Sequence, residues 1–234
     1  GVDLDAIQRD PTLATGLCFA AVSPGGERTF FSYRGANAAL SRPAVDPLQG
    51  AGWLHVCGHA LLAGSQRETT LALVAAAAER GLPVSLDLCL PLLRAAPALA
   101  QGLGPRLAVV FANELERAAI GEPLEVALAA LERSGAGLVA AKLGARGSRL
   151  AGAVRCDVPA FPVEARDTTG CGDAFAAGFI VASLRGAAPE VAARVGNAAG
   201  ALAATRTGAA EVLPAREDVR ALLAAHSSEQ ERFV

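Results

Sequence analysis

Arg166-Asp167-Thr168-Thr169-Gly170-Cys171-Gly172-Asp173-Ala174-Phe175-Ala176-Ala177-Gly178-Phe179 is the stretch on which the reading of this sequence turns. Two acids bracket a glycine-rich turn, and an apolar helical run follows at once. Gly170 and Gly172 carry no Cβ to keep backbone N–H groups from converging on one point. A helix start at Gly172–Asp173 adds amides without intrahelical acceptors and the positive end of a dipole. Such a turn suits a bound anion, a phosphoryl group above all. An aspartate there is the kind of group a general base needs when a hydroxyl must lose its proton. Taken alone, the same residues are also what a plain helix cap after a glycine turn looks like.

Upstream of this stretch, short apolar runs alternate with helical periods. Trp53–Cys57, Pro83–Leu88, Leu107–Phe111 and Leu138–Lys142 read as strands. Between the first two lies a helix: Ser65 and Glu68 have capping-box spacing, Leu71, Val74 and Ala78 keep helical period, and Gly81 with Pro83 ends it. That rhythm predicts βαβ units and a mostly parallel sheet. Downstream, Gly172–Arg185, Pro189–Thr205 and Ala215–Ala225 read as helices. Near the start, Thr15–Ser23 and Arg28–Tyr33 flank Pro24-Gly25-Gly26, a hairpin signal that predicts a small β flap over about residues 13–38. With no linker or repeat, residues 1–234 are expected to form one α/β domain.

Composition narrows the function. At 234 residues and 52% hydrophobic, the chain can bury a sizeable core. A formal net charge of −2 offers no basic footprint for nucleic acid. No uncharged apolar run is long enough for a membrane span, and the opening residues carry no export signal. Five cysteines, widely spread and without a C-x-x-C pair, argue against a zinc site or a disulfide framework, so a cytoplasmic location is expected. Neither a Walker A sequence nor the protein-kinase glycine loop is present.

The 166–179 stretch resembles the D-T-x-G-A-G-D signature of the ribokinase-like (PfkB) carbohydrate kinases. Other segments resemble that family in order and spacing. Asn113-Glu114-Leu115-Glu116 is similar to its N-x-x-E motif, and Lys142-Leu143-Gly144-Ala145-Arg146-Gly147 to its nucleotide loop. Asn197-Ala198-Ala199 and Thr205-Arg206-Thr207-Gly208-Ala209 are similar to the helix and loop beside the base. Thr15-Gly16, Gly26-Glu27-Arg28 and Arg34-Gly35-Ala36-Asn37-Ala38 resemble its flap and sugar-facing segment.

The resemblance implies a three-layer α/β/α fold with a β flap, and ATP-dependent phosphorylation of a sugar hydroxyl. It implies Asp173 as the base and Gly170, Cys171 and Gly172 as the anion hole. Asn113, Lys142, Gly144, Arg146, Gly147 and Asn197 would bind the nucleotide, and Arg34, Asn37 and Asp173 the substrate. Glu116 and Asn113 would act on Mg²⁺ through water. Asp167, Thr169, Ala203, Arg206 and Gly208 would surround a K⁺ ion. It further implies a small sugar partner of ribose, fructose or keto-sugar-acid type, and a homodimer formed through the flap. Two departures stand out: Asp87-Leu88-Cys89-Leu90-Pro91 replaces D-x-N-x-R, and Cys171 replaces a smaller residue. Relatives of this kind carry a strand-helix-strand unit ahead of a segment like Gly1-Val2-Asp3, and such a unit is expected to precede it. The alternatives are a non-catalytic nucleotide- or sugar-binding remnant and a nucleoside kinase of the same fold.

Overall fold

A computed structural model describes residues 3–22, 28–208, 210 and 213–226. Its central sheet runs in chain order: β3 (Leu54–Cys57), β4 (Val84–Asp87), β5 (Val109–Ala112), β6 (Leu138–Lys142), β7 (Ser148–Gly152) and β8 (Cys156–Val158). The first four are parallel, with Leu54 beside Val84, Ser85 beside Val109 and Val109 beside Leu138. The last two are antiparallel. β4, β5 and β6 are legible as apolar runs because both faces are covered, as parallel strands in a sheet interior require, whereas on the edge strand β3 only Val56 is buried. β7 (SRLAG) and β8 (CDV) are short and carry polar residues, and nothing in their sequence announces them.

Helices α1 (Gly64–Glu79), α2 (Leu90–Ala95), α3 (Pro97–Gly102), α4 (Glu114–Ile120) and α5 (Leu124–Arg133) accompany the parallel strands. Val56, Leu86, Val110 and Val139 pack with Val74 of α1 and Leu128 of α5 on one face. On the other face Val109, Phe111, Leu138 and Ala140 meet α6 (Cys171–Leu184) and α7 (Pro189–Ala204) through Phe175, Phe179 and Ala193. Phe111, fully buried, meets the rings of Phe175 and Phe179 edge-on at 6.0 and 5.4 Å. The layers are therefore α/β/α as expected. α8 (Arg216–Ala225) lies against α7.

The flap strands are β1 (Leu17–Val22) and β2 (Arg28–Tyr33), an antiparallel ribbon separate from the main sheet. The Pro24-Gly25-Gly26 turn and Glu27 lie outside the described residues. Leu17 faces Tyr33 and Phe19 faces Phe31, and all four are more than half exposed. A 3₁₀ turn at Gly35–Ala39 follows the ribbon.

The expected Ser65–Glu68 capping box is not formed. The helix starts two residues earlier, at Gly64, with Ala63 as its N-cap and no side-chain cap bond. Ser65 is therefore already inside the first turn, and its hydroxyl donates to the Ala38 carbonyl at 3.4 Å. The box appears elsewhere, in Asn113 and Glu116 at the start of α4.

α6 and α7 approach closely because small residues face each other. A Cβ at Gly196 would lie 2.8 Å from the Phe175 carbonyl and 2.9 Å from its ring. This contact sets where α6, and with it the glycine turn at its head, sits above the sheet. Gly196→Val is expected to cost about 3 kcal/mol by overpacking and to lower turnover along with stability. Urea unfolding and a kinase assay on the same preparation check this; a variant with wild-type values for both would contradict the close-approach argument.

Candidate active site

The C-terminal ends of β3 to β6 open toward the head of α6, the place where parallel α/β sheets gather their ligands. Gly170, the N-cap of α6, has φ +75°, a left-handed conformation that favours glycine. The turn before it is tied by its own groups. The Asp167 carboxylate accepts from the Thr169 amide at 2.9 Å and the Gly208 amide at 3.2 Å, and the Cys171 amide donates to the Thr168 carbonyl at 3.3 Å. Asp173 follows in the first turn of α6 and is exposed toward the opening.

Lys142, at the end of β6, donates through Nζ to both carboxylate oxygens of Asp87 at 2.7 Å. The two side chains are only 13% and 11% exposed. Burial pushes the Asp87 pKa up, and the Lys142 ammonium opposes that shift. The same ammonium stands 3.2 Å from where a Gly172 side chain would begin, directly against the glycine turn at the head of α6. Asp87 was not singled out as a site residue from sequence. The signal that could have found it is an acid at the C-terminal end of a parallel strand.

Glu116 is 6% exposed. Its carboxylate accepts from the Asn113 amide at 2.8 Å, while Asn113 Oδ1 accepts from the Glu116 amide at 2.9 Å. Burial lifts its pKa to about 7, against the opposing pull of the Asn113 amide and the Lys142 charge. Among the described residues its carboxylate makes no ion pair, the nearby ammonium being committed to Asp87. A buried acid so placed fits a hydrated divalent cation.

On the β3 side, His55 Nδ1 lies 2.8 Å from the Ser85 hydroxyl, and burial holds its pKa below the usual value. Cys57 Sγ lies 3.5 Å from His59 Nδ1. The Cys89 thiol on the other side raises the His59 pKa. The Asp173 charge is felt at His55 and Cys57 of β3 and at Asp87 of β4, so its carboxylate stands near the C-terminal ends of those strands.

Other expected residues have further partners. Gly144 and Gly147 flank a 3₁₀ turn after β6, and Arg146 within it pairs with Glu114 of α4. Asn197 is 7% exposed, and its amide donates to the Val158 and Pro159 carbonyls at 3.0 and 3.2 Å, tying α7 to β8. Asn37 lies against Gly16 at the base of the ribbon. Arg34 donates to Gln66 of α1. The segments of Asp167–Thr169 and Ala203–Gly208 are adjacent: the Arg166 and Asp167 amides both donate to the Ala204 carbonyl. Among the described residues no group of three His, Cys, Asp or Glu side chains could hold a metal. No described helix is long and apolar enough to cross a membrane.

The sequence pattern of the pfkB family carbohydrate kinases matches residues 1–216. The chain belongs to that family. It is 32% identical to an ATP-dependent ribose-1-phosphate kinase from Halopiger xanaduensis, over 95% of this chain and 72% of that one. It is 34% identical to a Klebsiella pneumoniae fructokinase, over 93% and 75%. A Vibrio cholerae fructokinase, solved with fructose, ADP and calcium, superposes with a TM-score of 0.77 at 30% identity, covering 92% of this chain and 75% of that one. The fold is thus that of a ribokinase-like enzyme, and the protein is a sugar kinase.

The Glu116 pKa has a consequence for stability. An acid raised on folding destabilises the folded state wherever it is ionised. The cost is absent below the unfolded value of 4.5, grows toward 7 and is complete above it. At 1.36 kcal/mol per pH unit the span amounts to about 3 kcal/mol. Glu116→Gln keeps an oxygen for the Asn113 amide. In divalent-free buffer it is expected to match wild type at pH 4.5 and to be more stable by about 3 kcal/mol at pH 8. Urea titrations at both values test this; a difference that does not grow with pH would rule out burial as the cause.

Proposed function

We propose that the chain transfers the γ-phosphoryl group of ATP to a hydroxyl of a small sugar, with Asp173 as the general base. The supporting observation is the head of α6: an exposed aspartate in the first turn of a helix, after a left-handed glycine, with the Lys142 ammonium against the same turn. Asp173 takes the proton as the acceptor oxygen bonds to the γ-phosphorus and the bond to the β,γ-bridging oxygen breaks, releasing ADP. The first-turn amides at Gly170, Cys171 and Gly172, together with Lys142, face the negative charge that builds on the transferring group. Because the Cys171 amide donates to Thr168 and the Ala174 amide to Gly170, the Gly172 and Asp173 amides would carry most of that duty.

Gly144, Arg146 and Gly147 would border the nucleotide, with Asn197 holding the wall behind it. Glu116 and Asn113 would hold Mg²⁺ through water. When bound, the ion neutralises charge on the phosphates. Asp167, with the carbonyls of Thr169, Ala203, Arg206 and Gly208, would surround K⁺ under the turn. Arg34 and Asn37, below the ribbon, would face a sugar of ribose, fructose or keto-sugar-acid type, and the cytoplasm is the compartment that fits such chemistry. The intact base argues against a binding-only remnant, since a sensor needs no proton acceptor.

The apolar ribbon face of Leu17, Phe19, Phe31 and Tyr33 fits a second copy of the same ribbon. Sedimentation of wild type and a Phe19→Ser/Phe31→Ser variant is expected to show a dimer and a monomer; a wild-type monomer at micromolar concentration would oppose this arrangement. Asp173→Asn is expected to lower kcat by about 10²–10⁴-fold while leaving ATP binding within a few-fold. ADP release over a sugar panel measures it, and wild-type turnover in the variant would refute the assignment.

A further inference from the structure

Two cysteines converge on one histidine at the C-terminal ends of β3 and β4, and none of the three takes part in the transfer chemistry. β3 ends at Cys57 and β4 at Asp87, and these two are register partners in the parallel pair. Cys89 lies two residues past β4, as the N-cap of α2, with no side-chain cap bond. Gly58 lets the two outgoing segments approach. A Cβ there would lie 3.0 Å from the Asp87 carbonyl oxygen and the Cys89 nitrogen, and 3.1 Å from Cys89 Sγ. A side chain at 58 would push the segments apart. The 3₁₀ turn Gly58–Leu61 then places His59 within reach of both thiols. Cys57 Sγ lies 3.5 Å from His59 Nδ1, and Cys89 is hydrogen-bonded to the same ring.

The two thiols differ in character. Cys57 is exposed and Cys89 is buried, and both are free. The Cys89 thiol is the leading cause that makes His59 hold its proton more firmly than usual. Burial pushes the Cys57 thiol up, and the charges of Asp87, Asp173 and Glu116 add to that. A thiol facing an imidazole that keeps its proton is the arrangement that favours a thiolate. Cys89 is therefore the nucleophilic member of the pair, and Cys57 the protonated one.

We propose that Cys57 and Cys89 form a reversible disulfide when the protein meets a hydroperoxide, with His59 as the proton donor, and that the bridge lowers kinase turnover. The Cys89 sulfur attacks one peroxide oxygen, the O–O bond breaks, and the departing alkoxide takes the His59 proton. The Cys57 sulfur then attacks the Cys89 sulfenic acid. The S–S bond forms as the S–O bond breaks, and the departing hydroxide leaves as water with the Cys57 proton. Two thiols lose two electrons, and the hydroperoxide is reduced to an alcohol and water. Exchange with two molecules of a small thiol restores the pair. Asp87, two residues ahead of Cys89, holds the Lys142 ammonium, and Cys57 lies within the field of Asp173. Drawing the sulfurs together turns the exposed His59 ring aside, shifts the end of β4 and so disturbs the counter-ion of Lys142. The bridge itself is independent of the transfer chemistry proposed for this site; its effect on turnover rests on that chemistry.

The test treats wild type, Cys57→Ser, Cys89→Ser and His59→Gln with hydrogen peroxide, blocks free thiols and maps the digests by mass spectrometry. Turnover is measured before oxidation, after it and after reduction by dithiothreitol. Wild type is expected to yield a peptide pair linked through Cys57 and Cys89, and to lose about tenfold or more in kcat, regained on reduction. Cys57→Ser is expected to stop at a sulfenic acid on Cys89, captured by dimedone, and Cys89→Ser to form neither species. His59→Gln is expected to slow bridging by about tenfold. Absence of the 57–89 link in wild type, a bridging rate unchanged in His59→Gln, or a complete bridge with unchanged kcat overturns the switch while leaving the kinase reading intact. The wild-type map stands even if a variant fails to fold. Should no sugar turn over in the reduced chain, the transfer reading fails by itself, and the mapped link with its dependence on His59 decides the switch.

Discussion

The contact on which the site depends is the buried pair between Lys142 and Asp87. It joins the ends of β6 and β4 across β5, between residues 55 positions apart. Bringing both charges out of water costs several kcal/mol per ion, and their attraction does little more than offset that. A hydrophobic pair would hold the strands as well. What the ion pair adds is an ordered ammonium at the foot of the anion turn, kept neutral overall by its partner. Asp87 prevents Lys142 from being an isolated buried cation, and Lys142 prevents Asp87 from being an isolated buried acid.

That pair also shapes its surroundings. Because the ammonium is held by Asp87, it reaches Glu116 only as a field, and Glu116 remains an acid whose burial outweighs every favourable contact. His55, on the other flank, is pushed the opposite way by burial and by the same ammonium. The opening is thus graded in charge. A cation lies under the glycine turn and an uncompensated acid beside α4.

Much of this was legible from residue order. The four parallel strands came through because their apolar runs are continuous, and α6 because the glycine turn precedes an unbroken helical run. Asp173 came with it, through spacing. What escaped depends on distance in the chain or on competition for one side chain. The segment Asp87-Leu88-Cys89 reads as the loss of an amide, and only the fold shows that its first residue became the counter-ion of Lys142. Ser65 and Glu68 have the spacing of a cap, yet the chain turns at Gly64 and the serine is spent on Ala38. Asn113 and Glu116 were read for a metal, and the same atoms also cap α4. β7 and β8 were missed because antiparallel strands joined by tight turns need few apolar residues.

The double duty of Glu116 bears on how such a site is built. A capping carboxylate is fixed by a backbone amide, so its position does not depend on a metal being present. Its raised pKa means that the fold holds an acid whose ionisation burial opposes, a cost that a cation placed beside it would reduce. The strain at Glu116 and the unsatisfied Nη1 of Arg34 are therefore alike in kind. Each is a buried polar group that the fold leaves incompletely compensated.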